Sequence, residues 1–488
     1  MANLSTALNS TLAGLSLSAA QSAVVSRNVT SAGDENYARR TAEITTLPSG
    51  NPAVARVNRS ADRQLLERFL SSSSEASGKQ VAIDALKRMS DLTGDPESDS
   101  SISAAIGKLQ QELRNYETNP ASTTLGLSVL ESAKNVARKL NDASAEIRAI
   151  REDADKAMAG SAEKINNLLA QFKVLNDSVV RGQGTPDELL DALDQRDGVL
   201  KMLSEEIGIR TVIRPNNDVL IYAQGGAVLF EASPRQVSFV PADNLEPGAI
   251  GNSLIIDGVP VTGASAPMPL SHGKIAAYAA VRDTAAPQLS MQLDQIAAGL
   301  ILAFSESDPA TPSVLPAVEG LFRATGSIPL LGDSNYGLAA AIEINPLADP
   351  DQGGSVLMLR DGGFGGAAYV QNSDGHAGYQ ARIASLADSI DAIQSFPAST
   401  GIGGNISLKT LSIQSASWVE TQRQSAQRAL DISRSVASRT SDTLARITGV
   451  NIDQEMAALL DLEKSYQASS KVLSIVDSML ATLLQAVS

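Results

Sequence analysis

Few residues in this chain have types and spacing suited to chemistry. Its 488 residues include two histidines, His272 and His376, and no cysteine. The imidazoles stand far apart without a companion at metal-ligand spacing, so they read as surface or turn residues. Ser161-Ala-Glu-Lys164 and Ser271-His-Gly-Lys274 match Ser-x-x-Lys, but the companion motifs of a serine acyl-enzyme are missing. Gly362-Gly-Phe-Gly-Gly366 has the composition of a phosphate cradle. It does not lie between a strong strand and a helix start, and reads as a flexible loop. No catalytic, metal or cofactor residue is assigned.

The acidic stretch Asp187 to Asp197 holds the densest carboxylates. Paired carboxylates can move protons or bind a hard cation. Asp187, Asp191 and Asp194, however, share one helical face opposite Leu189, Leu190 and Leu193. That pattern is an amphipathic helix whose polar face forms ion pairs with neighbours. Arginines at 423, 428, 434, 439 and 446 make another helix basic. They read as solvated, with pairing to such acids across subunits as the alternative.

The elements that would position these residues are mostly helices, and the two ends of the chain dominate. From Ile452 the apolar or small residues fall at Met456, Leu459, Leu462, Tyr466, Ser469, Leu473, Val476, Leu480, Leu483 and Val487, a coiled-coil spacing. Asn451 with Gln454 can cap its start. The rod would be roughly 50 to 60 Å long at 1.5 Å per residue. A weaker stripe opens the chain, with Leu4, Leu8, Leu12, Leu15, Ala19, Ser22, Ser26 and Val29, whose small residues let a partner helix approach closely. Two apolar end stripes imply pairing with each other and with other subunits, because ordinary termini are frayed and polar. The competing reading is an ordinary amphipathic core helix at each end.

Composition excludes several classes. The length suits roughly three domains. Aromatic residues are only 3%, with one Trp, which favours long packed helices over an aromatic pocket. A formal charge of −15 argues against nucleic acid and against anchoring on anionic lipid. No apolar run is long enough to span a bilayer, and the start lacks the features of a Sec signal peptide.

In order, a first helix at about 3 to 31 is followed by short strands at 41 to 48 and 53 to 57. A helix from 61 to about 92 carries the run Ser71 to Ser74 as an exposed or frayed patch. Helices follow at 101 to 116, from Asn119-Pro120 to about 180, and after Pro186. Strand patterns fill 209 to 270, helix returns from about 286 to 304, and a Gly/Pro-rich region with weak strand signals covers 308 to 376. Helices at about 379 to 395 and 406 to 446 lead into the terminal rod. The expected fold is mainly α, with a long bundle, terminal coiled-coil helices and inserted small β-domains. Four units are expected: 1–35 with 449–488 as a coiled-coil inner-tube domain, 36–208 with 271–307 and 377–448 as a helical bundle, 209–270 as a β-insertion, and 308–376 as a second insertion.

Several strings carry a family resemblance. Gly449-Val-Asn-Ile-Asp-Gln-Glu-Met456, Ser465-Tyr-Gln-Ala-Ser-Ser-Lys-Val-Leu473 and Val476-Asp-Ser-Met-Leu480 resemble the C-terminal signature of bacterial flagellar axial proteins. Leu15 to Tyr37, with Ser26-Arg-Asn-Val-Thr-Ser-Ala-Gly, resembles their N-terminal motif, with Asp34-Glu35-Asn36 where the family usually shows Thr-Pro-Gly. Leu189 to Asp197, ending in Asp194, Gln195, Arg196 and Asp197, and Gln292-Leu-Asp-Gln-Ile-Ala297 resemble the hook-associated protein 1 family, which forms the hook–filament junction. The resemblance implies a non-enzymatic extracellular building block exported by the flagellar type III apparatus. The implied partners are copies of itself in a helical ring, the hook protein, a second junction protein on the filament side, and a cytoplasmic export chaperone at the C-terminal helix. Leu4, Leu8, Leu12 and Leu15, with Met456, Leu459, Leu462, Tyr466, Leu473, Val476, Leu480 and Leu483, are the expected interface. The alternatives are another axial protein such as the hook protein, a secreted coiled-coil effector or adhesin, or an enzyme with an unrecognised site in the insertions.

Overall fold

The computed structural model describes residues 2–48, 50–94, 101–309, 315–324, 328–332 and 335–487, apart from the side chains of residues 2, 3, 483, 484, 486 and 487. Helix α1 (Ala2–Thr30) leads into a hairpin of β1 (Arg40–Thr46) and β2 (Pro52–Arg59). Four helices follow: α2 (Arg63–Thr93), α3 (Ile102–Thr118), α4 (Thr123–Arg181) and α5 (Pro186–Glu206). Their starts are set by short polar side chains that accept orphan amides. Asp62, Ser101 and Ser122 cap α2, α3 and α4, and Thr185 with Glu188 forms a capping box ahead of α5. Gly182, left-handed at φ 61°, ends α4 as a residue with a Cβ would do only under strain.

Two small antiparallel sheets come next. One holds β3 (Ile209–Ile213), β4 (Val219–Ala223) and β5 (Val228–Phe230), and the other holds β6 (Val237–Ser238), β7 (Ile255–Ile256) and β8 (Val259–Pro260). Helix α6 (Lys274–Ala280) runs through one π-turn, Val281–Ala285, into α7 (Ala286–Ala303). The Gly/Pro-rich region is built from loops and single turns around β9 (Phe322–Arg323), α8 (Leu338–Ala341), β10 (Glu343–Ile344) and α9 (Met358–Asp361). Then come α10 (Ala381–Ser389), the hairpin β11 (Ile393–Phe396) and β12 (Gly404–Ser407), and the long helices α11 (Leu408–Thr448) and α12 (Ile452–Val487). The molecule is mainly α with inserted small antiparallel sheets, in line with the residue pattern.

Helix α4 organises the body because both buried apolar groups draw on it. Its first half, Val129 to Ala154, packs with α3, α7, α10 and the start of α11. Its second half, Met158 to Phe172, packs with α5, α6 and the two sheets, and Phe172 meets Phe230 edge-on at 4.9 Å. Helix α2 lies antiparallel along α11, tied by Ser90 to Glu420 at one end and by Arg434 to Gln80 at the other. The serine run in α2 is not a frayed patch. Ser72 and Ser74 are buried and the helix passes through unbroken, since small side chains let it sit close to the turn before α6, where Gly273 donates its amide to the Ser74 carbonyl.

Candidate functional site

The two chain ends meet. Gly14 faces Ser469, where a Cβ on the glycine would stand 3.6 Å from the serine Oγ, and Asn28 hydrogen-bonds Glu455. One number rises as the other falls, so α1 and α12 pair antiparallel. On α1 Thr11, Ser18 and Asn28 are buried, and with the half-buried Leu4, Leu8, Leu15, Ser22 and Val25 they follow an alternation of four and three until the last step. Leu12 points outward at 47% exposure. A count of apolar residues alone therefore slips by one position, because the true stripe passes through Thr11 and Ser18.

Helix α12 has two apolar faces. Glu455, Leu459, Leu462, Ser469, Leu473, Val476 and Leu480 are buried or half-buried on the α1 side. Ile452, Met456, Leu460, Val472, Ile475 and Met479 are exposed, from 43% at Met456 to 54% at Leu460. Met456 thus stands one residue past the covered stripe, and Tyr466, at a stripe position, is still 49% exposed. The side chain of Leu483 lies outside the described residues. These six side chains form the ridge of α12 that α1 leaves open.

The neck joining this helix pair to the body is an ion-pair network. Arg40, 2% exposed, bonds Asp191 at 2.5 Å and Asp194 at 3.3 Å. Arg59 bonds Asp194 at 2.6 Å and Asp197 at 2.5 Å, and Arg27 reaches Asp187 and Asp191. The acidic face of α5 therefore receives arginines from α1 and the hairpin. The arginines of α11 go elsewhere: Arg423 pairs with Glu420 one turn back and Arg434 bonds Gln80. Burial pushes the Asp194 carboxyl up while Arg59 and Arg40 pull it back. Arg196 turns the other way, donating to Asn176 Oδ1 and the Asn217 carbonyl and so fastening α5 to α4 and to the turn before β4. Gln195 sits between them on the exposed side. Beside the network lies an open cleft of about 630 Å³ whose walls mix Arg63, Arg196 and Lys201 with Asp34, Glu35 and Asp442.

The remaining polar motifs also hold the fold. Both Ser-x-x-Lys lysines converge on buried Glu206, Lys164 at 2.7 Å and Lys274 at 2.9 Å, and Ser161 donates to the same carboxylate. Burial would lower the Lys274 pKa, but its bond to Glu206 raises it, so this lysine is a fixed ammonium and no general base. The glycine run is not a free loop: the amides of Gly363 and Gly365 donate to buried Glu306, which also pairs with Arg382 at 2.6 Å. The anion in the cradle is the protein's own carboxylate. In Gln292 to Ala297, Gln292 bonds the Thr400 carbonyl and Ser415, Asp294 accepts the Gly337 and Ala339 amides, and Gln295 bonds the Gly332 carbonyl. Burial lifts the Asp294 carboxyl to about 6 against the pull of those two amides. Asn28, Tyr37, Arg40, Glu455 and Glu306 were not singled out as functional, although Asn28 and Tyr37 lie inside the N-terminal motif. Among the described residues no cluster of His, Cys, Asp or Glu is arranged to hold a metal ion, and no helix is long and apolar enough to cross a membrane.

Comparison with known proteins adds two partial similarities to this geometry. The family described as flagellar hook-associated protein FlgK helical domain matches residues 86–308, and that described as flagellar basal body rod FlgEFG protein C-terminal matches residues 446–486. Flagellar hook-associated protein 1 of Salmonella typhimurium (strain LT2) is 22% identical over 251 residues, covering 49% of this chain and 45% of the relative. The Escherichia coli (strain K12) protein is 21% identical over 251 residues, covering 49% and 46%. The chain spans about half the length of the curated relatives it matches. The solved flagellar hook junction protein FlgK from Burkholderia pseudomallei aligns with a TM-score of 0.43 at 18% identity, over 53% of this chain and 46% of that one.

Proposed function

Because the chain is similar to the helical domain of flagellar hook-associated protein FlgK in its body and to the C-terminal family of the flagellar basal body rod FlgEFG proteins in its last helix, we propose that it is a structural subunit of the bacterial flagellum, assembled at the junction between hook and filament. The observation that carries this reading is the double face of α12. One stripe is covered by α1, and the ridge from Ile452 to Met479 lies open. A ring of subunits would bury that ridge against neighbouring copies in a heterologous contact that propagates around the tube. The hook protein would lie on one side of the ring and a second junction protein on the other. In the cytoplasm the same ridge would need cover, which an export chaperone at α12 supplies before type III export to the flagellum. The body acts as a scaffold without catalysis, and its insertions decorate the outside of the tube.

A deletion strain tests the proposal. Expected are intact hooks, no filaments, flagellin monomers in the medium, and motility restored by the wild-type chain. Normal filaments on the deletion strain would reject it.

A further inference from the structure

The middle of the terminal helix pair specifies its own alignment poorly. Around the Gly14–Ser469 crossing the covered positions of α1 are Thr11, Leu15, Ser18 and Ser22, of which only Leu15 is large, and the neighbouring turns of both helices are rich in Ala and Ser. Small side chains leave shallow knobs and holes, so sliding one helix past the other by a turn costs little packing. At the neck end, by contrast, Asn28 is fully buried and uses every hydrogen-bonding valence of its amide. Its Nδ2 donates to the Arg40 carbonyl and to Glu455 Oε2, each at 2.9 Å. Its Oδ1 accepts the Tyr37 hydroxyl at 2.9 Å and the Arg40 amide at 3.0 Å. Glu455, 1% exposed, is completed by Arg39 Nε at 2.6 Å, and Arg39 donates its amide to the Thr448 carbonyl.

From this we infer that Asn28 and Glu455 form a register pin: their bond selects one alignment of α1 on α12 and thereby decides which residues of α12 remain open for another subunit. The inference builds on the proposed assembly role but is tested without it. Any slip would strand a buried amide and a buried carboxylate, a larger loss than an apolar stripe of serines and alanines imposes. The polar pair is thus a positioning device.

The chain has no cysteine, so engineered thiols read the register cleanly. Gly14→Cys is combined in turn with Tyr466→Cys, Ser469→Cys and Leu473→Cys in the full chain, and disulfide yield is measured under mild oxidation. Expected is cross-linking at 469 alone in the parent, and a spread to 466 and 473 when Asn28→Leu is added. Glu455→Gln, whose amide oxygen still accepts from Asn28, should keep the 469 preference. Cross-linking confined to 469 in the Asn28→Leu background overturns the pin, because the stripe alone would then set the register. Loss of all cross-links in that background also overturns it, since Asn28 would be needed for pairing as such. Helical content by circular dichroism confirms that each variant is folded.

Discussion

Asp294 shows how a single buried carboxylate ties a loop to a helix and leaves a mark on pH dependence. Its folded pKa of about 6 lies above the ordinary aspartate value of 3.8, so the native state takes up the proton more readily than the unfolded chain. The associated stability is fully present below about pH 4 and is lost as pH rises through 6, about 3 kcal/mol for a shift of roughly two units. Asp294→Asn should remove that slope, as read by denaturant titration across pH. At the neck, Asp194→Ala takes one of two carboxylates from Arg40 and from Arg59, which keep Asp191 and Asp197, and should cost about 1 to 3 kcal/mol. Limited proteolysis should then cut the links at 31–39 and 449–451 while the body stays resistant. The acids of α5 were legible in the residue pattern because their spacing shows one charged face. Their partners were not, since Arg27, Arg40 and Arg59 lie some 130 or more residues away and only the folded hairpin brings them in. Glu306 was hidden for the same reason: nothing near it in the chain announces the glycine amides it occupies.

At the scale of elements, long helices were readable from their period and caps, and the short ladders of the second insertion were not. β9 and β10 have two residues each, too few for a periodic signal, and they owe their place to the groups buried around Phe304 and Phe322. The terminal stripes were visible, but on α1 Thr11 and Ser18 are buried beside the exposed Leu12 and Ala19 that apolar counting selects. That distinction separates two kinds of variant. Val476→Asp, facing α1, should unpair the terminal helices and lower helical content. Leu460→Asp with Ile475→Asp, on the open side, should leave pairing and melting temperature unchanged within experimental scatter while weakening association with other copies.

For the whole molecule, α4 joins two buried apolar groups into one body, and the neck network carries the helix pair at the end of it. Composition anticipated the helical character of this body, because a cysteine-free, aromatic-poor chain rich in Ala, Ser and Leu suits packed helices. The account rests on the claim that the ridge of α12 left open by α1 is the surface on which copies assemble. Its most direct test is complementation of the deletion strain with the Leu460→Asp/Ile475→Asp chain, reading filament number by electron microscopy and flagellin in the medium. The account predicts a folded, exported subunit, bare hooks and flagellin lost as monomer. Filaments of normal number and length on those cells would contradict it.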